Sequence, residues 1–139
     1  VEWSDEAIVL SLKPHGETGA ILEVLARDRG RHLGLVYGGA SSKKRAALQT
    51  GNRVKLTWRA RLSEHLGSFT AEVSHSRAHA MFERRDALAG LNALASVASA
   101  VLPEREPHRP AYDGADAVLD TIADHSFAEW VPLYVRWEI

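Results

Sequence analysis

Apolar and polar residues alternate one for one through RVKLTWRARL, residues 53–62. Val54, Leu56, Trp58, Ala60 and Leu62 fall on one side, and Arg53, Lys55, Thr57, Arg59 and Arg61 on the other. Successive strand side chains point to opposite faces, so this period predicts a half-buried β-strand over the whole stretch. Three more strands are predicted ahead of it. AIVLSLKPHGE ends in a Pro/Gly turn, AILEVLARDRG in an Arg-Asp-Arg-Gly turn, and RHLGLVYGG in a glycine pair. The polar ASSKKRAALQTGN connects to RVKLTWRARL, with a helical turn expected at Arg45–Gln49. SFTAEVSHS is a fifth strand, with Phe69, Ala71 and Val73 on one face and Ser68, Thr70 and Glu72 on the other. Five short strands with an insertion between the third and fourth predict a five-stranded OB-fold β-barrel. An SH3-like barrel has a similar strand count and stays open at this point.

From about Arg77 the period becomes helical. DALAGLNALASVASAVL has Asp86 as its expected N-cap and Leu88, Leu91, Leu94, Ala98 and Val101 on one face, and Pro103 stops it. PEREPHRP is a three-proline loop. AYDGADAVLDTIAD is a second helix, with Tyr112, Ala115, Val118, Leu119 and Ile122 on its buried stripe. Ser126 and Glu129 match a capping box, but Pro132 would then lie deep in the helix. The expectation is therefore a helix starting near Val131, with Pro132 in its first turn. It runs to Ile139 with no C-cap signal, so a helical domain cut short is expected. The chain thus reads as α+β: an OB-fold domain over residues 1–78, then a partial helical domain over 79–139.

Charge changes this picture more than composition does. A chain of 139 residues with 45% hydrophobic content can bury a core, and no apolar run is long enough to cross a membrane. VEWSDEAIVL is acidic where an export signal is basic, and cysteine is absent, which removes disulfides and thiolate chemistry and fits a cytoplasmic protein. The net charge of −1 hides an asymmetry. Residues 1–80 hold 12 Lys and Arg against 8 Asp and Glu, and residues 81–139 hold 5 against 10. Residues 29–63 carry nine cations and no acid (Arg29, Arg31, Lys43, Lys44, Arg45, Arg53, Lys55, Arg59 and Arg61). Such a segment suggests a polyanionic partner.

Candidate catalytic chemistry is thin, and neither an enzyme nor a cofactor is expected. Gly34 to Gly39 has the spacing that opens a P-loop, but Ala40 stands where the lysine is needed. Ser41 and Lys44 form an isolated S-x-x-K without its companion motifs. His75 and His79 lie four apart with no carboxylate pair at ligand spacing, and read as exposed or capping residues. Asp113, Asp116, Asp120 and Asp124 recur at helical spacing, which reads as a solvated face or a contact for a basic partner. Single-strand binders commonly stack bases on exposed aromatics. Here Trp58 and Phe69 read as core, Tyr37 as half-buried and Trp3 as open to solvent ahead of the first strand. Binding would then be mainly electrostatic, with little base readout.

HGETGAILEVLARDRGRHLGLVYGGASSKK followed by LQTGNRVKLTWRARLSEHLGSFTAE resembles the N-terminal region of the RecO family, bacterial recombination mediators of DNA repair. The shared elements are Gly16-Glu17-Thr18, Arg29-Gly30, Gly38-Gly39-Ala40 before a basic loop, and Leu48 with Gly51. LYVRWEI at 133–139 is similar to the start of a later family helix. The resemblance implies an OB-fold joined to a helical domain, and binding to single- and double-stranded DNA with annealing of complementary strands. It also implies partnership with RecR in loading the recombinase onto DNA coated by single-strand binding protein. Arg31, Lys43, Lys44, Arg45, Arg53, Lys55, Arg59 and Arg61 are the DNA-facing residues it implies. The cysteine zinc motif of many members has no counterpart here. An RNA-binding module and a scaffold for an acidic protein partner are the alternatives.

Overall fold

The computed structural model describes residues 1–81 and 84–139. Its elements in chain order are β1 (Glu2–His15), β2 (Gly19–Ala26), β3 (Gly30–Val36), α1 (Ser42–Ala47), β4 (Arg53–Arg59), β5 (Ser68–His75), α2 (Ala78–Met81), α3 (Arg85–Val101), α4 (Arg109–Asp124) and α5 (Phe127–Glu138). The first strand starts at Glu2, well before the apolar run AIVL, because its two halves serve different neighbours. Residues Glu2–Ile8 pair antiparallel with β4, and Ala7–His15 pair antiparallel with β2. A register shift between Val9 and Ser11 bends the strand from one partner to the other. In between, Ala7, Ile8, Val9 and Leu10 are all buried. Ala7 and Val9 face the interior of the sheet, and Ile8 and Leu10 face the helices, so a continuous apolar run marks a strand covered on both sides.

The strands follow one another in the ring order β1-β2-β3-β5-β4. All pairings are antiparallel except the one between β3 and β5, which is parallel and consists of a single residue pair, Leu35 with Ser68. β5 zips to β4 along its whole length and leaves β3 after Ser68. The strands close into a five-stranded barrel, mixed rather than wholly antiparallel and joined between β3 and β5 at a single residue pair, with helices after it.

Two apolar clusters hold the molecule. One lies inside the sheet and includes Trp3, Leu22, Val24, Val54, Leu56, Trp58 and Phe69. The other joins the outer face of β1 and β2, through Ile8, Leu10 and Leu25, to Leu91, Leu94, Ala98, Tyr112, Val118, Leu119, Ile122 and Trp130 of the helices. The five positions expected on the buried stripe of α4 are all buried. α3 buries Ala87, Gly90, Leu91, Leu94, Ala95 and Ala98, whereas Val101 is exposed. Gly51 fixes the approach of α3 to the sheet. Its φ is +92°, and a Cβ there would lie 2.4 Å from Leu91 Cδ1.

Several helix ends differ from expectation. α1 begins at Ser42, three residues before the expected turn, because the Ser41 side chain accepts from the Lys44 N–H at 3.2 Å. Asp86 is not a cap: α3 starts at Arg85, and the Asp86 carboxylate accepts instead from Trp130 Nε1 at 3.1 Å. α4 starts at Arg109, where His108 Nδ1 accepts from the Ala111 N–H at 3.1 Å and Pro110 occupies the first turn. α5 starts at Phe127 with Ser126 as its N-cap residue, and Ser126 Oγ donates to Glu129 Oε1 at 2.9 Å. Pro132 thus lies inside the helix. The carbonyl it leaves without its helical donor is that of Ala128, on an exposed turn open to water.

Candidate nucleic-acid interface

The alternation in β4 has the expected orientation: Val54, Leu56 and Trp58 are buried, while Lys55 and Arg59 are exposed. The strand ends at Arg59, so Arg61 lies in the following turn. The neighbouring strands change the meaning of the basic face. In the antiparallel register, Glu2, Ser4 and Glu6 of β1 stand opposite Arg59, Thr57 and Lys55. On the other side, Glu72 of β5 stands opposite Lys55. Arg59 pairs with Glu2, and Ser4 Oγ and Thr57 Oγ1 lie 3.0 Å apart. Arg53 donates to Asp116 Oδ2 of α4 at 3.0 Å, with Glu6 at 3.9 Å. Three cations of one strand are matched by carboxylates from β1, β5 and α4.

Arg31 is also committed within the fold. Its guanidinium donates to Glu23 Oε2 at 2.7 Å and to the Leu102 carbonyl at 2.7 Å, and its side chain is only 17% exposed. Glu23, buried on β2, also accepts from Ser11 and Ser99 hydroxyls. The set fastens the loop after α3 to the sheet. Among the described residues five of the eight candidates have no ion pair, Lys43, Lys44, Arg45, Lys55 and Arg61, and all of these but Lys55 stand apart from this network. Lys43, Lys44 and Arg45 share the single short helix α1, and Lys43 and Arg45 are exposed.

The aromatic residues are placed differently from the sequence expectation. Trp3 is inside β1 rather than ahead of it, opposite Trp58 and stacked on it at 5.7 Å between ring centroids. His32 is buried edge-on against Trp3 and Trp58, each at 5.1 Å, and against Phe69 at 6.1 Å. Neither ring nitrogen of His32 has a hydrogen-bond partner among the described residues. Arg29 lies over the Trp3 ring at 5.2 Å and Arg105 over the Trp58 ring at 5.3 Å. Burial, aided by these two guanidiniums, pulls the His32 pKa down to about 4. Tyr37 is 76% exposed instead of half-buried. The interior face of β3 consists of His32, Gly34 and Val36, so Leu33, Leu35 and Tyr37 are on the outer side.

Three of the four aspartates of α4 take partners from the chain itself. Asp116 and Asp120 accept from Arg77, Asp116 also from Arg53, and Asp113 from Arg109. His75 lies 3.1 Å from Asp120 and is exposed; the His79 side chain lies outside the described residues. Arg77, which sequence reasoning passed over, is the most deeply buried cation. A lone Arg between a strand end and the apolar AHAM was the available signal. No helix among the described residues is long and apolar enough to cross a membrane.

Comparison with known proteins places this geometry in context. The family model described as "Recombination protein O N terminal" matches residues 1–77, and "Recombination protein O C terminal" matches residues 83–139. The chain is 45% identical over 142 residues to the DNA repair protein RecO of Rhodospirillum rubrum, covering all of this chain and 56% of that protein. It is 47% identical to the DNA repair protein RecO of Roseobacter denitrificans, again over the whole chain and 57% of the relative. Identity reaches 51% over 124 residues with the counterpart from Rhodopseudomonas palustris strain BisB5, covering 89% of this chain and 49% of that one. The chain spans about half the length of the curated relatives it matches. With family models matched on both sides of residue 80 and such identities, the chain belongs to the RecO family of bacterial DNA-repair proteins.

Proposed function

We propose that this chain is the DNA-binding part of a recombination mediator, one that binds single- and double-stranded DNA without sequence preference and promotes annealing of complementary strands. The observation that carries this reading is the set of cations on α1, Lys43, Lys44 and Arg45, that have no ion pair among the described residues, whereas Arg31, Arg53 and Arg59 of the strands are paired off. Of the eight candidate contacts, these three and Arg61 are the principal phosphate contacts. Lys55 is secondary, and Arg31, Arg53 and Arg59 chiefly hold the surface in shape. Backbone contacts suit annealing: they lower the repulsion between two phosphate chains and leave base edges free to pair. The role needs no catalytic group and no cofactor.

The family relationship supports the wider part of the proposal. In it, residues 1–78 bind DNA, residues 79–139 begin a helical domain, and the protein works with RecR and single-strand binding protein to load recombinase in the bacterial cytoplasm at the nucleoid. A titration of a fluorescent single strand over a range of salt tests the core of it. With about four phosphates neutralised, log affinity should fall against log salt with a slope of about −3. Salt-independent affinity, or clearly tighter binding to an RNA strand of the same sequence, would refute the reading. Capture of an acidic peptide without DNA binding at low salt would favour a protein scaffold instead.

A further inference from the structure

We propose that Tyr37 is a base-stacking contact that gives this chain a preference for single-stranded over double-stranded DNA. The inference rests on the DNA-binding reading and adds to it a contact that electrostatics does not supply. Tyr37 is 76% exposed, and its ring has no aromatic or hydrogen-bonding partner among the described residues. A large exposed aromatic on a monomer surface carries a hydration cost that a ligand removes.

Its setting favours a nucleobase. Tyr37 stands at the exit of β3, and the turn after it leads through Ser41 into α1, whose Lys43, Lys44 and Arg45 have no ion pair among the described residues. The turn is pinned at three points: the Gly39 N–H donates to the Val36 carbonyl, the Ser41 N–H to Gly38 and the Ala40 N–H to Thr18, each at 3.1 Å. Gly39 is pressed onto β2 so closely that a Cβ would lie 2.7 Å from that of Ala20. The ring is thus presented from an ordered turn that leads directly into the helix whose cations would hold the phosphates next to a stacked base. Ordering in advance reduces the entropy lost on binding. A duplex offers no such face except at its ends, because its bases are already stacked on one another. One stacked base leaves its neighbours free, so the contact is compatible with annealing.

The test compares the unsubstituted chain with Tyr37→Ala and Tyr37→Phe, using labelled oligo(dT) and a labelled duplex at several salt concentrations. Tyr37→Ala should lower affinity for oligo(dT) by about fivefold or more, with the slope against salt unchanged. Tyr37→Phe should retain most of the affinity, and duplex binding should change by less than about twofold. Thermal melting should be the same for all three, since Tyr37 supports no core contact. Equal loss on single strand and duplex, an altered salt slope, or oligo(dT) binding untouched by Tyr37→Ala overturns the stacking contact alone. Failure of the unsubstituted chain to bind either DNA overturns the DNA-binding reading, and the inference with it.

Discussion

Arg77 Nε lies 2.9 Å from Asp120 Oδ1, joining the segment that leaves β5 to the middle of α4. The Arg77 side chain is fully buried, whereas that of Asp120 is 49% exposed. Arg77 also donates to Asp116, and to the Gly51 carbonyl at 3.2 Å, so one guanidinium ties α4 to the turn before β4. Asn52 completes the join, its Oδ1 accepting from the backbone N–H groups of Arg77 and Ala78 at 2.9 and 3.0 Å. Burial pushes the Asp120 carboxyl upward, but hydrogen bonds and charge from Arg77 and His75 outweigh it and hold it below the ordinary range.

Removing Arg77 should therefore loosen the helices from the sheet. Arg77→Met is expected to cost about 3 kcal/mol, the low end for a broken buried pair, because both aspartates it leaves behind can reach water. Denaturant unfolding of Arg77→Met, Asp120→Asn and the double variant would give the coupling. Additive costs would mean that the pair is incidental to the join. The sign with pH follows from the lowered pKa. The Asp120 contribution is present above its unfolded value and is lost as pH falls through the folded one, so Arg77→Met should flatten the acid limb of the stability curve.

His32 predicts a second and separate pH response. Its folded pKa of about 4 lies below the ordinary histidine value of 6.5, so the folded chain takes up the proton later than the unfolded one. Stability is then complete above pH 6.5 and falls as pH drops from there towards 4. The loss should be on the order of 2 kcal/mol after allowance for solvent screening. His32→Phe should abolish this segment of the curve, provided that the larger ring fits among Trp3, Trp58 and Phe69. A curve that keeps its slope between pH 6.5 and 4 in His32→Phe would locate the titrating group elsewhere.

Periodicity sufficed for what is set locally. The five buried positions of α4 and the inward face of β4 follow from spacing alone. What periodicity does not carry is register between distant strands. The acids Glu2 and Glu6 alternate with Trp3 and Ala7 just as Arg59 and Lys55 alternate with Trp58 and Val54, but only the pairing of β1 with β4 turns these into a neutral surface. Reading β1 as starting at Ala7 hid that complement, and with it the interior place of Trp3. Sequence alone weighs Pro132 above Ser126 and Glu129, because the solvent exposure of the Ala128 turn is a tertiary property. Alternation groups Tyr37 with Leu33 and Leu35 as half-buried. Which face of β3 turns inward depends on Gly34, whose missing side chain makes room for the Phe69 ring, 2.9 Å from where its Cβ would be.

Trp58 should separate stability from binding. It is 2% exposed, stacks on Trp3, and its Nε1–H donates to the Leu66 carbonyl at 2.9 Å. Trp58→Ala is expected to cost about 3–5 kcal/mol, from lost burial and the cavity left behind. It touches none of the uncommitted cations, so whatever fraction stays folded at low temperature should bind DNA with nearly unchanged affinity. A stable Trp58→Ala protein would contradict the placement of this ring at the centre of the inner core.

The two sets of cations in the basic segment can be told apart by neutral substitutions. Lys43→Gln with Lys44→Gln removes two charges that no carboxylate among the described residues pairs with. Affinity for a single strand should fall, and the salt slope should become shallower by about 1.4, corresponding to two phosphate contacts at about 0.7 each. Melting should barely change, since neither lysine makes an ion pair among the described residues. Arg59→Gln removes a charge already matched by Glu2 across the β1–β4 ladder. It should lower stability by up to about 1 kcal/mol, as expected for an exposed cross-strand pair, and leave the salt slope nearly as it was. At an ionic strength of about 0.1 M the change in net charge is screened beyond about 10 Å, so a distant substitution should not imitate a lost contact. If Arg59→Gln instead makes the slope shallower while Lys43→Gln with Lys44→Gln does not, DNA runs along β4 despite its carboxylates. The compensation seen across β1, β4 and β5 would then have to open when DNA binds.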